Sequence, residues 1–83
     1  MIMTPQSLQE LLSKQLPDCI VYAEGDGSHF MVRLIGDRFN GLSTLKRQQQ
    51  IYACVNEQIA SGEIHALTIK ALTPVEQQQI KET

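Results

Sequence analysis

Apolar residues recur at helical spacing near the start of the chain. One stripe is formed by four leucines: Leu8, Leu11, Leu12 and Leu16. Thr4 is a favourable N-cap, and Pro5 suits the first helical position. Pro17 does not suit a helix interior because its ring has no N–H to donate. The pattern predicts a helix from about Pro5 to Gln15.

Two runs of β-branched and aromatic residues follow and predict two strands, Cys19–Ala23 and His29–Ile35. Gly25–Ser28 lies between them and is typical of a turn, so the strands are expected to form an antiparallel hairpin. Alternation places Phe30, Val32 and Leu34 on one face of the second strand. The other face is predicted to carry His29, Met31, Arg33 and Ile35.

The second half of the chain predicts a long helix, a third strand and a short last helix. Ser43 and Gly62 are suitable ends for one helix from about Thr44 to Ala60. Its inner stripe is predicted to contain Leu45, Tyr52, Val55 and Ile59, with Gln48 at the border. Ile64–Leu72 alternates as a strand does. Thr73 and Glu76 form a capping box around Pro74, which predicts a final helix ending near Lys81.

The predicted element order is α-β-β-α-β-α, with a loop over Gly36–Gly41. Strands two and three are separated by a helix, so they are expected to be parallel. We therefore predict an α+β fold with a three-stranded mixed sheet and helices packed on one face. At 83 residues, the whole chain (1–83) is expected to be a single domain.

The composition mainly excludes several classes of protein. Seven basic and nine acidic residues give a net charge of −2, which counts against general affinity for nucleic acid. The N-terminus resembles no secretory leader and no apolar run could span a membrane, so a cytoplasmic location without membrane association is expected. Cys19 and Cys54 are too few for a disulfide framework and are expected to be reduced and mostly buried.

Enzyme chemistry has no recognisable motif in this sequence. There is no phosphate-binding glycine loop followed by lysine, and no serine nucleophile elbow. The carboxylates are dispersed and no pair has a spacing that indicates acid–base work. The chain is therefore predicted to act by binding partners and not by catalysis.

Two histidines are the main candidates for chemistry. His29 and His65 both lie near the start of a predicted strand. If those strands are parallel, the imidazoles could face one site from neighbouring elements; the alternative is two partly exposed histidines without a ligand. Two histidines cannot close a metal site, so another molecule would have to supply the remaining ligands.

A local basic patch is the second candidate. Lys46 and Arg47 lie in the long helix, Arg38 lies in the preceding loop, and glutamines follow at 48–50. These side chains could contact phosphates. The alternative is an ordinary solvated helix face.

Three groups of residues resemble the BolA-like family and, within it, the IbaG branch. They are Gly25–Phe30, then Phe39–Ser43 with Lys46–Gln49 and Tyr52, and finally Ile64–Ala71 with Thr73–Glu76. The motifs occur in family order and cover nearly the whole chain. The resemblance implies a fold similar to a class II KH domain, with a short extra helical turn before the long helix.

The resemblance also implies function. Family members pair with monothiol glutaredoxins, directly or through a bridging [2Fe–2S] cluster that also uses glutathione, and hold no cofactor when alone. They act in cluster trafficking and in iron or stress sensing. Pairing as a homodimer is a further possibility. Some members are transcriptional regulators that bind DNA, which would use Arg38, Lys46, Arg47 and Lys70 here.

The cluster ligands implied by the resemblance are only partly matched. The signature ligand of the family corresponds to His65. Many members take a second ligand, cysteine or histidine, from the loop between the first two strands. Asp26 stands at that position and His29 follows three residues later, so both are candidates, with His29 the better by chemistry. The tryptophan of the family after Thr-Pro-x-Glu is replaced by Gln77, which is expected to weaken packing of the last helix or to alter a surface.

Three functions therefore compete. The first is an adaptor that shares an iron–sulfur cluster with a glutaredoxin, and the second is a DNA-binding regulator. The net charge opposes the second, as does Gly41–Thr44, which lacks the second glycine of the Gly-x-x-Gly loop of nucleic-acid-binding KH domains. The third is a purely structural interaction domain.

Overall fold

Helices and strands alternate through residues 3–81, the part of the chain that the computed structural model describes. In chain order they are α1 (Pro5–Gln15), β1 (Ile20–Asp26), β2 (His29–Ile35), a 3₁₀ turn (Asp37–Phe39), α2 (Thr44–Cys54), α3 (Asn56–Ser61), β3 (Ala66–Leu72) and α4 (Pro74–Lys81). The predicted order is confirmed except that the long helix is divided. No helix in this part of the chain has the length and apolar character needed to cross a membrane.

The sheet has the strand order β1-β2-β3. β1 and β2 are antiparallel, whereas β2 and β3 are parallel. The hairpin turn consists of Gly27 and Ser28, and Gly27 adopts a φ of 66°, which glycine accepts without steric cost. The predicted α+β architecture with a three-stranded mixed sheet is thereby confirmed.

The core lies between one face of the sheet and the helices. The buried cluster comprises Leu8, Leu12, Leu16, Val21, Phe30, Val32, Leu34, Phe39, Ile51, Val55 and Ile64. The opposite face, called the outer face below, bears Tyr22, Glu24 and Asp26 of β1, His29, Met31 and Arg33 of β2, and Ala66, Thr68 and Lys70 of β3. Tyr22 is 48% exposed and Met31 44% exposed, so this face is open.

The predicted single helix over 44–60 is wrong because it is interrupted at Val55. This residue adopts φ −124° and ψ 17°, and its N–H bonds to the Tyr52 carbonyl, three residues back. The side-chain amide of Gln15 in α1 donates to the Cys54 carbonyl at 2.8 Å. This hydrogen bond takes the place of a helical hydrogen bond at the break and links α1 to α2.

The predicted inner stripe of this helix is also mostly wrong. Leu45, Tyr52 and Ile59 are 64%, 37% and 38% exposed. Ile51 and Val55 are the buried residues, and the same face carries polar Arg47 and Gln48. The spacing of apolar residues predicted the wrong inner face because two polar side chains, those of Arg47 and Gln48, occupy inward positions.

Two strand boundaries differ from the prediction. β1 extends through Gly25 and Asp26, which were predicted to lie in the turn, because both pair with residues of β2. β3 begins at Ala66, two residues later than predicted. The 3₁₀ turn implied by the family resemblance is present and buries Phe39.

The predicted capping box of α4 is confirmed and is joined to α2 by an arginine. The Glu76 carboxylate accepts from the Thr73 N–H at 2.8 Å, and the Thr73 hydroxyl accepts from the Glu76 N–H at 3.2 Å. The Arg47 guanidinium donates to Glu76 at 2.7 and 3.3 Å. It also donates to the carbonyls of Leu42 and Ala71. Arg47 therefore holds three segments together.

Acidification is expected to weaken this connection. Hydrogen bonds from Arg47, then from the Thr73 backbone, lower the pKa of Glu76 from 4.5 to about 2. A carboxyl with a lowered folded-state pKa adds stability above its unfolded-state pKa, and that stability is lost as the pH falls through the lower value. In urea denaturation, wild type should have a larger free energy of unfolding than Glu76→Gln above about pH 4.5. This difference should disappear as the pH falls to about 2. An advantage that stays constant down to pH 2 would contradict this.

Gln77 is expected to lower stability. Its side-chain carbonyl oxygen is buried without a hydrogen-bond partner. Replacement by an apolar group removes the desolvation cost, so Gln77→Leu should raise stability by about 1 kcal/mol. Thermal unfolding of Gln77→Leu measures this, and Gln78→Leu, at an exposed neighbouring position, is the matched control. Equal melting temperatures for wild type and Gln77→Leu would refute the expectation.

Candidate functional site

The starts of β2 and β3 lie at the same end of the sheet, as predicted, because these strands are parallel. His29 pairs with Asp26 across the hairpin and with Ala66 across the parallel pair. The Ser28 carbonyl accepts from the N–H groups of His65 and Ala66 at 2.8 and 3.3 Å. This hydrogen bonding fixes the backbones of both histidines at one end of the sheet.

Asp26 and His29 are brought together on the outer face. In-register residues of neighbouring strands project to the same side, so their side chains leave the sheet together. Both are exposed and border an open depression of about 650 Å³, together with Glu24, Met31, Ala66 and Thr68. A carboxylate and an imidazole thus stand side by side, accessible to another molecule.

His65 has a different setting, in the bend that leads into β3. Its backbone follows Ile64, which is buried and anchors the segment in the core. The ring Nε2 lies 3.5 Å from the position that a Cβ on Gly62 would occupy. Gly62 ends α3 with a φ of 85°, a left-handed conformation that favours glycine. The His65 imidazole therefore lies near Gly62, at the end of α3, and is exposed.

The possible metal ligands at this end of the sheet suit an iron site shared with another molecule better than a site formed by this chain alone. Imidazole and carboxylate can both ligate iron, and His65, His29 and Asp26 are all exposed. Among residues 3–81, no group of three or more His, Cys, Asp or Glu side chains is placed to hold a metal ion. This chain fits a cluster only if another molecule supplies further ligands.

The two cysteines have the character of structural residues. Both are free and half-buried. Burial raises the pKa of Cys19, with a smaller contribution from Asp18, and burial likewise raises the pKa of Cys54. Because the thiolate is the metal-binding form, neither is a favourable ligand near neutral pH.

The residues proposed to contact phosphate do not form a free basic surface, and Arg47 in particular is engaged within the protein. Its side chain is 13% exposed, and the guanidinium is occupied by Glu76 and two backbone carbonyls. Arg38 pairs with Asp18 at 3.1 Å. Lys46 is exposed on α2, whereas Lys70 belongs to the outer face of the sheet.

A pair on the outer face was not recognised from the sequence. The Arg33 guanidinium carbon lies 4.8 Å from the centre of the Tyr22 ring. The two residues are register partners across the hairpin. Only the pairing register brings them together, so alternation within β2 alone could place Arg33 on the outer face without identifying its neighbour.

Comparison with known proteins gives consistent matches. The profile described as BolA-like protein matches residues 7–76. The acid stress protein IbaG of Escherichia coli K12 is 43% identical over 74 residues, 89% of this chain and 88% of that protein.

Solved structures agree with this match. A BolA homologue from Coxiella burnetii superposes with a TM-score of 0.83 at 31% identity, covering 93% of this chain and 99% of that one. The BolA domain of SufE1 from Arabidopsis thaliana superposes with a TM-score of 0.75 at 36% identity, covering 87% and 93%.

Proposed function

Because this chain belongs to the BolA-like family, within its IbaG branch, we propose that it is a non-catalytic adaptor for iron–sulfur clusters. Its partner in this proposal is a monothiol glutaredoxin, and the cargo is a shared [2Fe–2S] cluster. The pair would serve cluster trafficking or the sensing of iron or stress. The supporting observation is the exposed His65 at a sheet end with too few donors to hold a metal alone.

The two proteins would divide the ligands between them. A glutaredoxin cysteine and a glutathione thiolate would hold one iron, and His65 with a second donor of this chain would hold the other. Histidine in place of thiolate raises the potential of such a cluster. The Ser28 hydrogen bond fixes the backbone of His65 before any partner arrives, which lowers the ordering cost of binding.

Acid sensitivity follows from this ligand set. An imidazole must be unprotonated to bind a metal, so mild acid competes with the iron for histidine. The similar Escherichia coli protein is named for acid stress. We propose that the shared cluster is released on acidification, which would couple the adaptor to that stress.

Co-expression with a monothiol glutaredoxin tests the proposal. Anaerobic purification should yield a coloured heterodimer with visible circular dichroism, and this chain purified alone should be colourless. A heterodimer without colour would favour a purely structural interaction domain. A chain that carries the cluster alone would contradict the half-site described above.

The second ligand can be identified by paired substitutions. Imidazole is the better iron ligand, so His29→Ala should leave a cluster that is lost several-fold faster than from the wild-type heterodimer. Asp26→Asn should change the loss rate less than twofold. The rate is measured as decay of visible absorbance in the presence of a chelator. The reverse order of rates would assign the ligand to Asp26.

The DNA-binding alternative receives no support from the arrangement of basic residues. Arg47 is committed to Glu76, and Arg38 is paired with Asp18. Binding driven by phosphate contacts would make the affinity for duplex DNA fall steeply as the salt concentration rises, and an affinity that does not change with salt would exclude it. We therefore retain the adaptor as the proposed function.

A further inference from the structure

Three residues form a row across the middle of the outer face. Tyr22 of β1 pairs with Arg33 of β2, and Arg33 pairs with Lys70 of β3. The Tyr22 ring supports the Arg33 guanidinium through the cation–π contact described above, which limits its rotamer freedom. The Arg33 Nε is buried and has no hydrogen-bond partner.

The row places two positive charges side by side, with the Glu24 carboxylate nearby in the same depression. Within residues 3–81, the ion pairs involve Arg38 and Arg47, and neither Arg33 nor Lys70 has an acidic partner within 4.0 Å. Like charges at directly paired strand positions are destabilising. The paired charges of Arg33 and Lys70 therefore lower the stability of the free protein. An anion bound to both would offset this cost.

The surface around this row is concave. A depression of about 520 Å³ is bordered by Tyr22, Glu24, Met31, Arg33 and Lys70, with Gln9 at the edge of β1. Glu24 and Met31 also border the depression that contains Asp26 and His29. The two depressions therefore form one continuous surface from the histidine end to the basic row.

We infer that this surface is where an acidic partner protein docks, with its carboxylates on Arg33 and Lys70. For the identity of the partner, the inference rests on the proposed function: it is the cluster-sharing glutaredoxin. Arg33 lies four residues along β2 from His29, about 13 Å away at the usual rise of a strand. A partner seated against Asp26 and His29 therefore reaches the basic row on the same face of the sheet.

Carboxylates fit the row better than a nucleic acid does. The Arg33 guanidinium already covers a face of the Tyr22 ring, so that face is not free to stack a base. A planar guanidinium beside an ammonium suits one or two carboxylate groups.

A peptide titration tests the row without a glutaredoxin. Tri-glutamate should cause saturable amide shifts at Tyr22, Arg33 and Lys70 in the ¹⁵N spectrum of the full chain, whereas tri-glutamine should cause none. Arg33→Gln and Lys70→Gln should each weaken tri-glutamate binding about fivefold, and Lys14→Gln, exposed on α1, should have no effect. Absence of saturable shifts, or tighter binding of oligothymidine at the same amides, would overturn the inference.

Affinity for the glutaredoxin then tests the partner. The double variant Arg33→Gln/Lys70→Gln should weaken the heterodimer at least tenfold, while the visible circular dichroism of the cluster at saturating partner is unchanged. Wild-type affinity in the double variant would overturn the inference, as would loss of the cluster spectrum at saturation. Failure of wild type to form any heterodimer would reject the proposed function, and the peptide titration would still decide whether the row binds carboxylates.

Discussion

Replacing His65 with alanine is expected to abolish the cluster shared with a monothiol glutaredoxin. The imidazole is exposed at the end of the sheet, where the Ser28 hydrogen bond holds the His65 backbone. Its loss leaves one donor of this chain for an iron that needs two. Absorbance and visible circular dichroism of the anaerobically purified heterodimer should fall at least tenfold per protein.

The fold should survive this substitution. His65 is exposed, and its structural hydrogen bond is made by the backbone N–H, which alanine retains. Far-ultraviolet circular dichroism and melting temperature should match wild type. His65→Cys restores a metal donor, so it should regain a cluster with an altered spectrum. A wild-type spectrum in His65→Ala would remove this residue from the ligand set.

Arg47→Ala should cause the largest loss of stability among single substitutions of charged residues. The side chain is 13% exposed and donates to the carbonyls of Leu42 and Ala71 as well as to Glu76. Removing it leaves these carbonyls without their donor and unlinks α2 from β3 and α4. The expected cost is about 2–4 kcal/mol, because each buried group left unpaired costs about 1–3 kcal/mol.

Thermal and urea unfolding measure this cost. A domain of this size shifts by about 4–8 °C per kcal/mol, so the melting temperature should fall by roughly 10–30 °C. Arg38→Ala is the matched control, because its ion pair with Asp18 is exposed and such pairs contribute below about 1 kcal/mol. Equal effects of the two substitutions would show that Arg47 is not a structural link.

Most of the fold could be predicted from local chemistry. The caps at Thr4, Ser43 and Thr73 are all present, and their hydrogen bonds begin the helices where predicted. Alternation in β2 correctly placed Phe30 and Val32 in the core. Local signals sufficed here because each depends on neighbours within a few residues.

Features that depend on distant residues could not be predicted. The break at Val55 is supported by the side chain of Gln15, which donates to the Cys54 carbonyl 39 residues later in the chain. Arg47 occupies an inward position because Glu76 and two carbonyls accept its hydrogen bonds, so a polar residue interrupts the apolar stripe. A pattern read along one helix contains neither partner.

Only part of the candidate site could be predicted from the sequence. Parallel pairing of β2 and β3 correctly placed His29 and His65 at one end of the sheet. The neighbours of Arg33 depend on tertiary placement, because they come from the two flanking strands. Sequence motifs therefore indicated the candidate ligands, whereas the structure was needed to find the surface beside them.

Electron–nuclear double resonance of the reduced heterodimer tests the central claim most directly. The sample combines this chain, labelled with ¹⁵N only at histidine, with an unlabelled glutaredoxin. A ¹⁵N coupling of the size expected for an iron-bound imidazole should be present in wild type, and the His65→Cys heterodimer should lack the coupling that His65 contributes. Absence of any ¹⁵N coupling in the wild-type complex would contradict ligation of the cluster by this protein.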